Sequence, residues 1–373
     1  MAGIYIHIPF CRRACHYCDF HFSTSFKYKT EILQALQQEI ILQKQYLQGE
    51  TIETIYFGGG TPSVLETSEI NTLLEVVFTN FSVKADAEIT LEANPDDLFP
   101  QKIFALKQTP INRFSIGVQS FFEEDLVWMN RAHNAVEAFT SIKTAQDQGF
   151  ENITIDLIYG YPLLTQTKWQ YNLEQFFELK IPHLSAYSMT VEPQTALASF
   201  ISKKKQPAMN DEQSAMQFEF LMDEAEKNEF EHYEISNFSL PGWHSHHNSN
   251  YWKGVKYLGI GPSAHSFDGK TRQWNVANNQ KYLAALSQNQ VPFTIENLSI
   301  QDRVNEFIMT TLRTSNGLDL NFADELSFGS SKEILKEAAP FLNKNWLTQT
   351  NRLLTLTREG KLYSDYIAAE LFL

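Results

Sequence analysis

The chain has 373 residues, 43% hydrophobic and 20% charged, enough for a large α/β domain with a smaller one appended. Its formal net charge of −14 excludes general nucleic-acid binding, which needs clustered Lys and Arg to displace counterions. No apolar run approaches the ~20 residues of a membrane helix, and MAGIYIHIPF lacks the basic start and long apolar core of a secretory signal. The cytoplasm is the expected compartment; peripheral membrane contact and the choice between monomer and dimer are left open.

GIYIHIPF alternates and reads as the first strand. It runs into CRRACHYCDF, which holds all three cysteines of the chain, Cys11, Cys15 and Cys18, spaced C-x3-C-x2-C. An odd, clustered set argues against a disulfide framework. A structural zinc site wants four tetrahedral ligands, and His16 or His21 could supply the fourth. Ordinary buried thiols are another reading. The third is an iron–sulfur cluster, in which three cysteines on a four-iron cubane leave one iron open to a substrate or cofactor.

A helix from about Tyr28 to Tyr46 follows, then the strand TIETIYF, the turn GGGTP, and a helix over Thr67 to Asn80. AEITLEANP is a strand with a helix near Leu98 to Lys107. RFSIGVQSF is a strand with helical pattern from Glu123 to Gln148. NITIDLIYG is a strand with a helix near Lys168 to Leu179. HLSAYSMTVEP is a strand, followed by the loop SKKKQP and a helix near Asp211 to Lys227. Six β-α units predict a parallel sheet with right-handed connections, a partial (β/α)6 barrel open on one side.

In parallel barrels functional groups gather at the C-terminal strand ends, and the unusual residues fall there. The cysteines follow strand one and Gly58 to Pro62 follow strand two. Glu92 and Asn94 end strand three, Gln119 strand four, Asp156 and Tyr159 strand five, Tyr187 and Thr190 strand six. Glycine permits positive φ and close approach of backbone to a ligand.

The cysteine loop resembles the signature of radical S-adenosylmethionine (SAM) proteins. YIHIPFCRRACHYCDF, YFGGGTPS, LEANPD, RFSIGVQSF, DLIYGYP and EISNFSLPG, in that order, resemble the branch containing oxygen-independent coproporphyrinogen III oxidases and haem chaperones. The resemblance implies that Cys11, Cys15 and Cys18 hold a [4Fe–4S] cluster. SAM would chelate the fourth iron and be split by one electron to a 5′-deoxyadenosyl radical. It implies that Gly59, Gly60 and Thr61 meet the methionyl amino group and that Glu92 accepts from the ribose, the plain alternative for Glu92 being an ion pair with Arg113 or Lys107. Gln119, Arg131 and Asp156 would line the SAM pocket, with Arg131 on the carboxylate, and Tyr5 would pack near SAM.

Two departures point to the chaperone type. The oxidase pattern has a fourth cysteine where this chain has Phe20, and the oxidase carries an N-terminal extension, whereas here Cys11 is reached almost at once. A third feature agrees: His247-Asn248-Ser249-Asn250-Tyr251-Trp252 is similar to the chaperone haem motif H-N-x-x-Y-W. Imidazole is a good axial ligand and aromatic faces pack on a porphyrin. His247 is the preferred ligand, with His244 and His246 as alternatives; on the residues alone the stretch is a His-rich loop with an aromatic anchor. The resemblance implies haem and haem-acceptor proteins as partners, with coproporphyrinogen oxidation as the alternative activity.

KYLGIGPSAHSF should return the chain to the sheet edge, with His265 near the pocket or structural. From about Ile300 the order helix, helix, helix, hairpin, helix resembles a winged-helix-like α+β domain. Residues 301–373 carry eight Lys and Arg against ten Asp and Glu, a net of −2 that lacks a DNA-binding footprint. A cover for the barrel or a protein contact is expected. The expected division is a barrel core at 1–235, a connecting region with the haem motif at 236–296, and the C-terminal domain at 297–373.

Overall fold

The computed structural model describes residues 1–373. Six strands, β1 (Ala2–Ile8), β2 (Ile52–Gly59), β3 (Val83–Ala93), β4 (Arg113–Gln119), β5 (Ile153–Tyr159) and β6 (His183–Ser188), pair parallel in chain order. Helices α1 (Lys29–Leu42), α2 (Thr67–Asn80), α3 (Pro100–Leu106), α4 (Glu123–Met129), α5 (Ala135–Asp147), α6 (Gln166–Glu178), α7 (Ala196–Ser202) and α8 (Asp211–Lys227) make the crossovers. β1 and β6 are not paired with each other, so the barrel stays open.

Both edges are extended. On one side β7 (Glu231–Glu234) and β8 (Asn237–Ser239) run antiparallel beside β6. Next comes the short helix α9 (His246–Trp252). On the other side β9 (Lys256–Ile260), the stretch expected to return the chain to the sheet, lies parallel to β1 and continues into β10 (His265–Phe267), β11 (Thr271–Asn275) and, after α10 (Asn279–Leu286), β12 (Phe293–Asn297). The result is one twelve-stranded sheet.

The strands are buried on both faces, but the faces differ in chemistry. On β1, Ile4, Ile6 and Ile8 join the 62-residue core shared with the helices, whereas Tyr5 and His7 turn into the barrel and bond each other. On β5, Ile153, Ile155 and Leu157 pack outward. A two-residue period thus places apolar side chains in the helix layer and polar ones in the lumen. Tyr159 ends β5 on the outward side, against Trp169 and Phe218, and does not join the lumen.

Two expected elements are reshaped. The helical stretch Glu123–Gln148 is two helices, because Asn130 ends α4 in the left-handed region (φ 60°) and Asn134 with Glu137 forms a capping box that starts α5. Arg131 lies in the break. The sixth strand stops at Ser188, and Thr195 caps α7 through the amide of Ala198. The C-terminal part has α11 (Ile300–Leu312), β13 (Leu318–Asp319), α12 (Leu320–Leu326), α13 (Ser330–Asn343), the hairpin β14 (Leu347–Thr350) and β15 (Leu353–Leu356), α14 (Arg358–Lys361) and α15 (Ser364–Glu370). It builds a separate 14-residue core.

Candidate cluster and cofactor site

The cysteines occupy the loop between β1 and α1, which is pinned from several sides. Cys11 donates its amide to Ser23 O at 3.1 Å, and a turn from Cys18 N to Cys15 O (3.3 Å) compacts the rest. Arg12 Nε donates to the buried Asp97 at 2.8 Å, Asn130 Nδ2 to Ala14 O at 2.8 Å, and His16 N to Met129 O at 3.1 Å. The break between α4 and α5 therefore grips the loop directly. Thr61 Oγ1 donates to Cys11 Sγ at 3.3 Å, and Arg131 Nη1 to Cys15 Sγ at 3.4 Å. Burial pushes the thiol of Cys11 up to about 11 and that of Cys18 up to about 12. A bound cation would reverse this by favouring the thiolates.

No three His, Cys, Asp or Glu side chains converge on one point as a single metal ion requires. His16 Nδ1 is engaged with Trp128 O and His21 Nε2 with Asn279 Oδ1, and neither ring converges with the cysteines as a fourth zinc ligand. A cubane is held at separate corners and does not need its sulfurs to converge. Three half-buried thiols, two of them facing neutral or cationic donors, fit that group.

The turn after β2 packs against the start of this loop. Gly60 N donates to Ile8 O at 2.9 Å and Thr61 N to Phe10 O at 2.7 Å. Gly59 has φ +105°, and a Cβ there would lie 2.4 Å from His7 Nδ1; a Cβ on Gly60 would lie 2.7 Å from Phe10 O. Close backbone approach explains these two glycines. Their amides are used internally, which leaves carbonyls as the groups able to meet a donor.

Glu92 accepts from Tyr56 OH at 2.8 Å and from Gly59 N at 3.2 Å. The pairing with Arg113 or Lys107 weighed from sequence is not what forms: Arg113 Nε lies 3.7 Å from Glu88, and Lys107 donates to Gly149 O. Burial raises Glu92 to about 7, with the Asp156 carboxylate adding to it. Asp156 is raised to about 6, again by burial, and the hydroxyls of Ser185 and Ser115 oppose the shift. Arg131 Nη2 donates to Asn94 Oδ1 and to Gly117 O, both at 2.7 Å, while its Nε has no partner. A Cβ on Gly117 would stand 3.0 Å from both Arg131 Nη2 and Gln119 Nε2, so that glycine makes room for the two side chains. Gln119 itself sits at φ 68°.

The His247–Trp252 segment lies at the other end of the barrel. Instead of a loop it is α9, capped by Ser245, with the amides of His246 and His247 donating to Glu88 at 3.1 and 2.9 Å. His247 is 2% exposed. Its Nδ1 is 2.8 Å from Thr54 Oγ1 and its Nε2 is 3.0 Å from Tyr251 OH, so neither nitrogen is open to iron in this conformation. Burial, then the charge of Arg113, lowers its pKa to about 3 and keeps the ring neutral. His244 contacts Glu231 at 2.8 Å and stacks on Tyr233. His246 is exposed. Trp252 faces Arg313, the residue that caps the C-terminus of α11, whose guanidinium lies 5.5 Å from the indole ring centroid. Tyr5 stacks on Tyr56 and His247 midway along the lumen. His265 stacks on Trp274 at the sheet edge, away from these groups.

The structure therefore gathers Cys11, Cys15, Thr61, Glu92, Gln119, Arg131 and Asp156 at the mouth and sets His247, Tyr251 and Trp252 at the floor. Thr54 and Gly59, five residues apart on β2, mark the two levels, roughly 16 Å along a strand. Sequence reasoning missed Tyr56 and His7, and named Arg113 only as an alternative partner of Glu92. Tyr56 shares the inward face of β2 with Thr54 and Gly58, so strict alternation was the signal that could have found it.

Residues 5–172 match the model of the radical SAM superfamily, and residues 298–363 match the HemN C-terminal domain. The chain is 33% identical to the heme chaperone HemW of Bacillus subtilis, covering 98% of each protein, and 33% identical to that of Escherichia coli, covering 100% of this chain and 98% of the relative. This chain belongs to the HemW/HemN-like family of radical SAM proteins. Its fold superimposes on coproporphyrinogen III oxidase (HemN) of Escherichia coli with a TM-score of 0.87, over 100% of this chain and 90% of that one, at 23% identity. Membership agrees with the lumen geometry: a cysteine loop, a glycine turn and two partly buried carboxylates meet at the C-terminal mouth. No helix is long and apolar enough to cross a membrane.

Proposed function

We propose that this protein is a haem chaperone, binding haem and passing it to acceptor proteins, and that it carries a [4Fe–4S] cluster coordinated by SAM. The observation that carries the reading is end-to-end similarity to relatives named heme chaperone HemW in a chain that has the His247–Trp252 segment and Phe20 after the third cysteine. Phe20 is 68% exposed beside the cysteine loop, where it offers apolar surface and no fourth thiolate.

Cys11, Cys15 and Cys18 would hold the cluster, which when bound would supply one-electron reducing chemistry. Thr61 and Arg131 orient Cys11 and Cys15 and moderate the negative charge of their thiolates. Carbonyls of Gly59 and Gly60 would accept from the methionyl amino group, and Arg131 Nε, unpartnered here, would meet the carboxylate. Glu92 and Asp156 would accept from ribose hydroxyls; Tyr5 would fill the lumen beneath. Gln119 would close the pocket from β4. At the floor His247, backed by Tyr251 and Trp252, would ligate haem after its bonds to Thr54 and Tyr251 are released, with His246 as the imidazole already exposed.

The deciding test is a haemin titration followed by Soret absorbance, beside His247→Ala and His246→Ala. Saturation near one haem per chain, weakened or spectrally altered in one variant, supports the chaperone and identifies the ligand. No saturable binding removes it. Anaerobic incubation with coproporphyrinogen III, SAM and a reductant tests the oxidase: formation of protoporphyrinogen IX would replace the chaperone reading.

A further inference from the structure

The C-terminal part meets the barrel along α8, and the junction contains a cleft of about 390 Å³. Its apolar wall is Met222, Phe230 and Leu356, and its basic side is His232, Arg358 and Lys361. Arg358 is already compensated: it donates to Asp223 at 2.6 Å and to Glu219 O at 3.0 Å, with Glu226 at 4.0 Å on the exposed rim.

Lys361 is different. Its Nζ has a single polar neighbour, His232 Nδ1, at 2.9 Å. His232 Nε2 lies 3.1 Å from Ile235 O, which must accept, so Nε2 carries the proton and Nδ1 is the acceptor for the lysine. The imidazole is wedged between Phe238, stacked at 4.0 Å, and the edge of Phe218, so it cannot turn away. Lys361 therefore reaches the cleft half-buried, with no carboxylate partner. Burial, and then the charge of Arg358, lowers its pKa to about 8. A half-buried ammonium with one neutral partner retains two unused donors and an uncompensated charge.

We propose that this cleft binds a small monocarboxylate with a short apolar body, the carboxylate on Lys361 and the body against Met222, Phe230 and Leu356. One uncompensated positive charge matches one negative charge. A phosphate dianion would bring a second charge toward Asp223 and Glu226 at the rim. A neutral amphiphile would leave the ammonium unpaired. None of these residues belongs to the cluster mouth or to α9, so the site is independent of the proposed function.

The test uses the full chain with methyl-labelled methionine, the Met222 resonance being assigned by Met222→Leu. Sodium octanoate should shift that resonance saturably. Lys361→Gln should weaken the apparent Kd at least tenfold, and Lys361→Arg should largely restore it, which guards against a loss caused by misfolding. Acetate and 1-octanol serve as the charge-only and body-only probes, and each should bind at least tenfold more weakly. An octanoate shift that fails to saturate, that 1-octanol or acetate reproduces at equal concentration, or that survives Lys361→Gln overturns the proposal.

Discussion

His247 and Tyr56 lie ring against ring, 4.9 Å between centroids and 24° between planes, and the hydroxyl of Tyr56 donates to Glu92 at 2.8 Å. One side chain of β2 thus touches the floor motif with its face and the mouth carboxylate with its hydroxyl. Tyr56→Phe keeps the stack and removes the hydrogen bond. If Glu92 holds SAM, the Kd for SAM should rise by about fivefold, the equivalent of roughly 1 kcal/mol for one such bond. Equilibrium dialysis of reconstituted protein measures this, and an unchanged Kd would detach Tyr56 from the cofactor pocket.

The two mouth carboxylates set a pH dependence of stability. Glu92 moves from 4.5 unfolded to about 7 folded and Asp156 from 3.8 to about 6. For an acid with a raised folded pKa, the folded state holds the proton longer, so stability falls as pH rises between those limits. Buried histidines such as His7 and His247, lowered to about 4 and about 3, act in the opposite sense, costing stability as pH falls below 6.5. Glu92→Gln isolates the acid contribution: urea midpoints of iron-free protein at pH 5 and pH 8 should show the variant gaining on wild type at pH 8. A gain confined to pH 5 would contradict the sign.

Cys15→Ala should lose the cluster and SAM binding together, read as iron content, visible absorbance and dialysis. An intact cluster spectrum in this variant would refute the ligand assignment.

The floor has its own signature. His247→Ala removes a buried ring with two hydrogen bonds and should destabilise the protein by roughly 2–4 kcal/mol, whereas His246→Ala, on the surface, should change stability by less than about 0.5 kcal/mol. If haem ligation uses His247, added haemin must open α9, and hydrogen exchange of the 246–252 amides should accelerate. Protection of those amides on haemin binding would favour His246.

Glu39 of α1 is fully buried and accepts from Gln43 Nε2, Gly261 N, Asn275 Nδ2 and Tyr282 OH. Glu39→Ala would strand these donors and should cost on the order of 3 kcal/mol or more. Thermal unfolding of the two proteins measures it; a change under 1 kcal/mol would mean that water replaces the carboxylate.

The amino-acid sequence alone carries the six parallel strands, the cysteine loop and the glycine turn, because a two-residue apolar period and turn-forming glycines are local properties. It also placed the candidate residues at strand ends. The apolar period did not locate the break at Asn130, although an asparagine suited to a left-handed cap and the Asn134–Glu137 capping box are themselves local signals. That break aims Arg131 at Cys15, a contact across 116 positions. Nor could the motif His247–Trp252 announce that its first imidazole is buried: Thr54 and Glu88, which bond it and its amide, are 193 and 159 residues away in the chain. Burial and hydrogen-bond saturation arise from packing between distant segments, and only the folded barrel decides them.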